Sequence, residues 1–90
     1  MNDLATVPYF RRGVKFRFDT VRDAWVLLAP EKLFVPDVIA VEILKLVNGA
    51  RSIGMIVDDL AVRFDASPEL IATDVLATLK NLSARGAVQL

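Results

Sequence analysis

Residues 14–35, VKFRFDTVRDAWVLLAPEKLFV, decide the fold, because three short segments of β-strand character follow one another within them. Residues 14–19 alternate apolar and charged side chains, a period of two that is typical of a half-buried strand. Residues 24–29 are a continuous apolar run of strand length. Residues 32–35 are a third short strand that stops at Pro36. Since proline cannot donate to a sheet ladder, we expect this strand to lie at an edge.

The residues that follow carry the signals of two helices. Asp37 is suited to cap a first helix over residues 38–47, and the apolar character of this segment all round predicts that it is buried on most sides. Ser52 is suited to cap a second helix that ends near Phe64. Both helices begin at a residue whose side chain can accept from a free backbone N–H, which makes their starts predictable from local chemistry.

A third helix has the clearest start in the chain. Residues 67–69, Ser-Pro-Glu, supply a cap, a proline at the first helical position and an acid in the first turn, and Arg85-Gly86 ends the helix. Residues 87–90 form an apolar tail that either packs back on the core or pairs as a strand. Three strands followed by three helices, the last two joined tightly at residues 65–66, predict an α+β domain. We expect a three-stranded antiparallel sheet in a winged helix-turn-helix architecture.

Length and composition limit the function further. The 90 residues suffice for one domain, which we place at residues 8–90 after a flexible N-terminal arm at residues 1–7. The chain has no cysteine and no histidine, which excludes disulfides, thiolate nucleophiles, iron–sulfur clusters and the commonest general base. We therefore expect no metal and no cofactor. Without an apolar segment long enough for a signal or a membrane span, we expect a cytoplasmic protein that does not contact membranes.

The remaining candidates for catalysis are better explained as structural residues. Ser52 and Ser67 are explained as helix caps, and no histidine or cysteine is present to activate them. Asp58 and Asp59 are adjacent, but neighbouring positions on a helix point about 100° apart, so their carboxylates cannot converge on one substrate atom. We therefore expect that the protein is not an enzyme.

Charge argues against nucleic acid as a partner. Lys plus Arg and Asp plus Glu each number 11, so the chain is formally neutral. From Ser52 onward it carries three basic and five acidic side chains, the wrong sign for a DNA-binding helix. The basic excess lies in the first half, where four cations cluster within seven positions: Arg11, Arg12, Lys15 and Arg17. These are either the solvated face of the first strand or a docking patch for an acidic segment of a partner.

The edge strand at residues 32–35 is the most informative feature, because an edge offers unpaired N–H and C=O groups to a partner that adds a strand. The third helix would form the other wall of the adjoining groove. Its apolar stripe is either core or part of that groove, and Leu70 and Leu76 are extra apolar groups off the stripe.

Five segments of the chain resemble one family. They are residues 10–14 (FRRGV), 26–31 (VLLAPE), 43–49 (ILKLVNG), 56–60 (IVDDL) and 74–76 (DVL). In this order and spacing they resemble the PqqD family, the pyrroloquinoline quinone (PQQ) biosynthesis protein D, over about residues 8–90. The chain departs from the family pattern at Pro36-Asp37, Ile39-Ala40 and Met55. Pro36 removes a backbone donor beside the proposed groove.

The resemblance implies a function. Proteins of this family bind the ribosomally made precursor peptide PqqA and present it to the radical-SAM enzyme PqqE, which cross-links a glutamate and a tyrosine of the peptide. Related domains hold the leader peptide as a strand added to the third strand, facing the third helix. This resemblance implies ten peptide-binding residues here: Glu31, Lys32, Leu33, Phe34, Val35, Asp74, Val75, Thr78, Leu79 and Leu82.

Three hypotheses therefore remain at this point. The first is a non-catalytic peptide chaperone that binds PqqA and presents it to PqqE, with the basic cluster as its docking site for a partner. The second is a winged-helix DNA-binding protein. The third is a general interaction or dimerisation module, in which Pro30 or Pro36 acts as a hinge for exchange between chains, so that the protein is either a monomer or an exchange-prone dimer.

Overall fold

The structure, a computed structural model, describes residues 3–90. The chain begins with a 3-10 turn (Asp3–Ala5), and eight elements follow in this order: β1 (Tyr9–Phe10), β2 (Lys15–Asp19), β3 (Ala24–Ala29), β4 (Lys32–Phe34), α1 (Val38–Leu44), α2 (Ile53–Arg63), α3 (Pro68–Ala84) and β5 (Val88–Gln89).

The strands β2, β3 and β4 form one antiparallel sheet in that order, which confirms the predicted three-stranded sheet followed by three helices. The third strand ends at Phe34, one residue earlier than expected. Pro36 explains the difference, because it has no N–H of its own and also restricts the backbone of the residue before it. In this sheet Leu27 lies opposite both Phe16 and Phe34, so the three side chains share one face.

That shared face packs on the helices and forms the core. Leu27 is fully buried and Phe34 is 6% exposed, and both belong to a cluster that includes Val75 and Leu79 of α3. Because α3 presents its apolar stripe to this face, the stripe is mainly core. The sheet and α3 are thereby held against one another through Leu27 of β3 and Phe34 of β4.

The helix caps divide into two that act as expected and one that does not. The Asp37 carboxylate accepts from the backbone N–H of Ala40 at 2.8 Å, and the Ser52 hydroxyl accepts from that of Met55 at 3.1 Å. The third helix starts at Pro68 as predicted, but the Ser67 hydroxyl bonds instead to the Glu69 carboxylate at 2.6 Å. A charged acceptor two residues away forms the stronger hydrogen bond, and it draws the hydroxyl off the helix end.

The first helix is shorter and less buried than its sequence suggests. It ends at Leu44 rather than residue 47, where i→i+3 bonds tighten the chain. Val38 is 81% exposed and Ile39 58% exposed, so burial on most sides is wrong for the first turn of this helix. The reason is geometric: the neighbouring elements cover the side of the helix that carries Ala40 and Val41, and leave the side of Val38 and Ile39 open.

The first described residues and the C-terminal tail are both tied to the domain. The tail pairs as a strand, with β5 antiparallel to β1, so that Phe10 lies opposite Val88. At the other end, the backbone N–H of Ile53 donates to the Thr6 carbonyl at 2.8 Å, and Lys80 lies 3.4 Å from Asp3. Asp3 and Thr6 of the expected flexible arm therefore contact α3 and α2, whereas residues 1 and 2 of that arm lie outside the described residues.

The two serine caps provide a matched test of this structure. We expect Ser52→Ala to lower the free energy of unfolding by about 1 kcal/mol, because it removes the acceptor of a helix N-terminal N–H. Ser67→Ala should cost less than about 0.5 kcal/mol, since its hydroxyl bonds only to an exposed side chain. Urea unfolding followed by circular dichroism measures both. Equal losses for the two variants would contradict the assignment.

A second test uses Glu42, which joins α1 to α2 by accepting from Arg63 at 2.6 Å. This hydrogen bond, followed by a second one from Lys45, lowers the pKa of the Glu42 carboxyl below its ordinary value of 4.5. A lowered pKa means that the stabilisation is present above pH 4.5 and is lost as the pH falls through the folded-state pKa. Between pH 7 and pH 3, we expect the free energy of unfolding of Glu42→Gln to fall less than that of the wild type, because the variant has no carboxyl to protonate at this position. Urea unfolding at each pH measures both. An unchanged pH profile would contradict the coupling.

Candidate functional site

The outer edge of β4 is open. Within residues 3–90, β4 pairs with β3 on one side only. Leu33 is 41% exposed and Val35 61% exposed, whereas Phe34 between them points into the core. This alternation leaves the backbone of the edge accessible with apolar side chains beside it, which is the arrangement that an added strand requires.

A groove with a volume of about 540 Å³ runs between this edge and α3. Its β4 side is formed by Leu33, Phe34 and Val35 and continues into the start of α1 with Pro36, Asp37 and Ala40. Its α3 side is formed by Ala77, Thr78, Asn81, Leu82 and Arg85. These positions recur every three or four residues, so one face of α3 lines the groove along its length.

The groove combines apolar surface with a few polar groups. Thr78 and Asn81 bring a hydroxyl and a side-chain amide from α3, both able to donate and to accept. Arg85, at the end of the helix, lies 4.5 Å over the Phe34 ring, a cation–π contact that holds the guanidinium at one end of the groove. Binding of an extended peptide suits this composition, because polar groups can set its register while the apolar surface is covered.

Nine of the ten implied peptide-binding residues fall into three groups, and Asp74 stands apart. Five line the groove directly: Leu33, Phe34, Val35, Thr78 and Leu82. Glu31 and Lys32 are exposed along the same edge, outside the groove lining. Val75 and Leu79 have no exposed surface, so they support the helix from beneath.

Asp74 belongs to a second, smaller cleft. This cleft, of about 230 Å³, lies between the three helices and is lined mostly by apolar residues: Val38, Ile39, Ile43, Leu60, Phe64, Ile71 and Val75, with Glu42 and Asp74. Phe64 is 54% exposed there. Sequence analysis missed this cleft, because the exposure of Val38 and Ile39 depends on how α1 is placed against α3.

Sequence analysis also missed part of the groove itself. Ala77, Asn81 and Arg85 lie on the same face of α3 as Thr78, and helical spacing from Thr78 was a signal that could have found them. Pro36 and Ala40 had no such signal, because their place in the groove depends on the angle at which the chain turns from β4 into α1.

The basic cluster is divided by the structure. Lys15 and Arg17 lie on β2 beside a row of aromatic rings, and together with those rings they line a groove at the opposite edge of the sheet. Arg11 and Arg12 are exposed on the connection between β1 and β2 and do not line that groove.

The two grooves and the smaller cleft described above are surfaces on which a partner can bind. Within residues 3–90, no group of three or more His, Cys, Asp or Glu side chains is placed to hold a metal ion. Asp58 and Asp59 are both exposed, and Asp59 lies 3.8 Å from Arg63. None of the helices in this part of the chain is long and apolar enough to cross a membrane.

Comparison with known proteins gives a consistent result. The family model described as "Coenzyme PQQ synthesis protein D (PqqD)" matches residues 24–88. A relative from Bradyrhizobium diazoefficiens named "PqqA binding protein" is 46% identical over 82 residues, which are 91% of this chain and 80% of that protein. A protein of the same name from Gluconobacter oxydans is 46% identical over 83 residues, covering 92% of this chain and 86% of the relative.

A solved structure supports the same assignment. The solution NMR structure of the PqqD part of Methylobacterium extorquens PqqCD is described as a functional, stand-alone recognition element for ribosomally synthesised and post-translationally modified peptides. It superposes with a TM-score of 0.79 at 42% identity, covering 93% of this chain and 89% of that one. Sequence, fold and family model agree, and this chain belongs to the PqqD family of coenzyme PQQ synthesis proteins.

Proposed function

We propose that this protein is a non-catalytic chaperone of PQQ biosynthesis that binds the precursor peptide PqqA along β4 and presents it to the radical-SAM enzyme PqqE. The observation that carries the proposal is the open edge of β4 beside a groove whose other wall is α3. The relatives named "PqqA binding protein" supply the identity of the peptide. In this proposal the binding takes place in the cytoplasm, where a ribosomally made peptide is released.

The peptide would bind as a fourth strand of the sheet. In an antiparallel ladder only alternate residues direct both backbone groups outward, so the three residues of β4 offer about two to four hydrogen bonds. At about 0.5–1.5 kcal/mol each, these bonds contribute at most about 6 kcal/mol, so they alone give an affinity no tighter than tens of micromolar even before the cost of ordering the peptide is subtracted. Pro36 offers no further donor beyond the strand. The affinity must therefore depend on side chains of the peptide that enter the groove.

The groove residues have distinct roles in this proposal. Leu33, Val35 and Leu82 provide apolar contact for alternate side chains of the peptide, and Thr78 and Asn81 provide polar contact. Asp74 lies four residues before Thr78, about 6 Å along the helix axis, which is about two residues of an extended chain. A peptide that continues past the groove would reach the second cleft at Asp74 after that distance.

A role in binding without catalysis agrees with where the ionisable groups lie. Within residues 3–90 no polar or charged residue is buried, so no side chain is held in the desolvated setting that perturbs an acid or a nucleophile for catalysis. In this proposal PqqE supplies the chemistry, and this protein supplies the rigid edge that holds the peptide extended.

An NMR titration with PqqA tests the site directly. We expect amide shifts to concentrate at residues 32–35 and 77–85, because these two segments form the walls of the groove. The matching segment on the same sheet, residues 15–19 at the opposite edge, is the internal control and should shift little. Shifts confined to residues 11–19 would overturn the assignment of the peptide to β4.

Two threonines of α3 offer a matched pair of substitutions. Thr78→Arg places a long cation in the groove, and we expect it to weaken PqqA binding at least tenfold, about 1.4 kcal/mol. Thr73→Arg makes the same change at an exposed position of α3 that does not line the groove, and should leave affinity within twofold. Isothermal titration calorimetry measures both, with circular dichroism to verify folding. Equal effects of the two variants would contradict the groove.

A further inference from the structure

The sheet has a second open edge, on the opposite side from β4. Within the described residues, β2 pairs with β3 only, so the five residues Lys15–Asp19 present unpaired backbone groups along their outer side. This edge is longer than that of β4, which has three residues. Since strands in a sheet are spaced about 4.8 Å apart, the two edges are about 10 Å apart and can be occupied at the same time.

A groove of about 570 Å³ follows the β2 edge and has an aromatic wall. The rings of Phe16 and Trp25 stack with centroids 4.8 Å apart, and Phe10 stacks on Phe16 at 6.1 Å. Lys45 from the end of α1 places its Nζ 5.2 Å from the centre of the Trp25 ring. The groove therefore has rigid apolar surface for a side chain of a partner, with a cation at its rim.

The charges along this edge are positive, and they lack ion-pair partners among the residues that the structure describes. Lys15 and Arg17 line the groove, and Arg11 and Arg12 lie just beyond it on the connection from β1. Among residues 3–90, none of these four cations forms an ion pair, whereas Arg22, Arg63, Lys45 and Lys80 all do. Asp19 at the end of the strand does not offset them, because its carboxylate is held by Arg22 at 3.2 Å.

From the open edge, the aromatic wall and the four unpaired cations, we propose that the β2 groove binds an acidic, extended segment of the enzyme that receives the peptide. Carboxylates of that segment would pair with Lys15 and Arg17, its backbone would add to β2, and an apolar side chain would cover Phe16. The identity of the partner rests on the proposed function. The positive charge, by contrast, is a property of this edge in the structure.

The placement has a mechanical consequence. With the peptide on β4 and the enzyme on β2, the two partners bind opposite edges of one rigid sheet, so neither has to leave before the other arrives.

Binding at β2 should also depend strongly on salt, since exposed charges are screened within about 10 Å at 0.1 M ionic strength.

Charge reversal on β2 tests the proposal. We expect Lys15→Glu and Arg17→Glu each to weaken the binding of purified PqqE at least tenfold in surface plasmon resonance, while PqqA affinity stays within twofold. Lys80→Glu is the matched control: it makes the same charge change at an exposed position of α3, and it should leave both affinities within twofold. Both β2 side chains are exposed, and Lys15→Gln and Arg17→Gln are neutral alternatives if a glutamate variant does not fold.

Amide hydrogen exchange separates strand addition from charge attraction alone. We expect PqqE to slow exchange at alternate residues of β2, as a ladder requires, with no comparable change at β4. Uniform exchange along β2 in the complex would overturn strand addition.

The other outcomes are distinct. Equal PqqE binding by the wild type and the charge-reversed variants, or no PqqE binding at all, would overturn the inference. If Lys15→Glu weakens PqqA as much as PqqE, the cluster belongs to the peptide site, which also overturns it. A dimer in light scattering that Lys15→Glu abolishes would assign the edge to a second copy instead. Failure of the wild type to bind PqqA would overturn the proposed function, while the comparison of β2 variants against PqqE still decides this proposal.

Discussion

Packing of the apolar stripe of α3 against the inner face of the sheet is the interaction on which the rest of the structure depends. Val75 and Leu79 are fully buried in the same cluster as Leu27 and Phe34. Because burial of each such side chain contributes about 1.5–3 kcal/mol, this contact is strong enough to hold the sheet against α3. The groove between β4 and α3 lies at the border of this core contact, where apolar side chains meet a few polar ones.

The two open edges of the sheet, which in other proteins favour unwanted pairing, are available here as binding surfaces. Edges of a small sheet expose unpaired backbone groups, and proteins ordinarily protect them by shortening the strand or adding charge. Here β4 has three residues and Pro36 lies two residues beyond its end, and β2 carries Lys15 and Arg17. The short strand at one edge and the charges at the other limit pairing with arbitrary chains. The side chains beside each edge then select the partner, and they are apolar at β4 and cationic at β2. The β1–β5 pair, in turn, ties the tail to the start of the domain.

Much of the fold could be predicted because its signals are local. The period of two in residues 14–19 and the caps at Asp37 and Ser52 act over one to four residues, so they survive without knowledge of the rest of the chain. The exception is Ser67, where sequence identifies the helix start but not the bond that the hydroxyl makes. Two acceptable partners compete there, and the position of the Glu69 side chain decides between them.

The candidate site was predictable only in outline. The sequence by itself determined that the strand at residues 32–35 stops at Pro36 and that a long amphipathic helix comes later in the chain. Strand period, helix period and proline geometry determine this, because they are properties of the local chain. Only the tertiary structure decided that Val75 and Leu79 are fully buried while Thr78 and Leu82 line the groove. It also decided that Asp74 faces a different cleft and that Phe10 and Trp25 join Lys15 at one edge. The physical reason is that exposure depends on the angle at which one element packs on another, and elements distant in sequence set that angle.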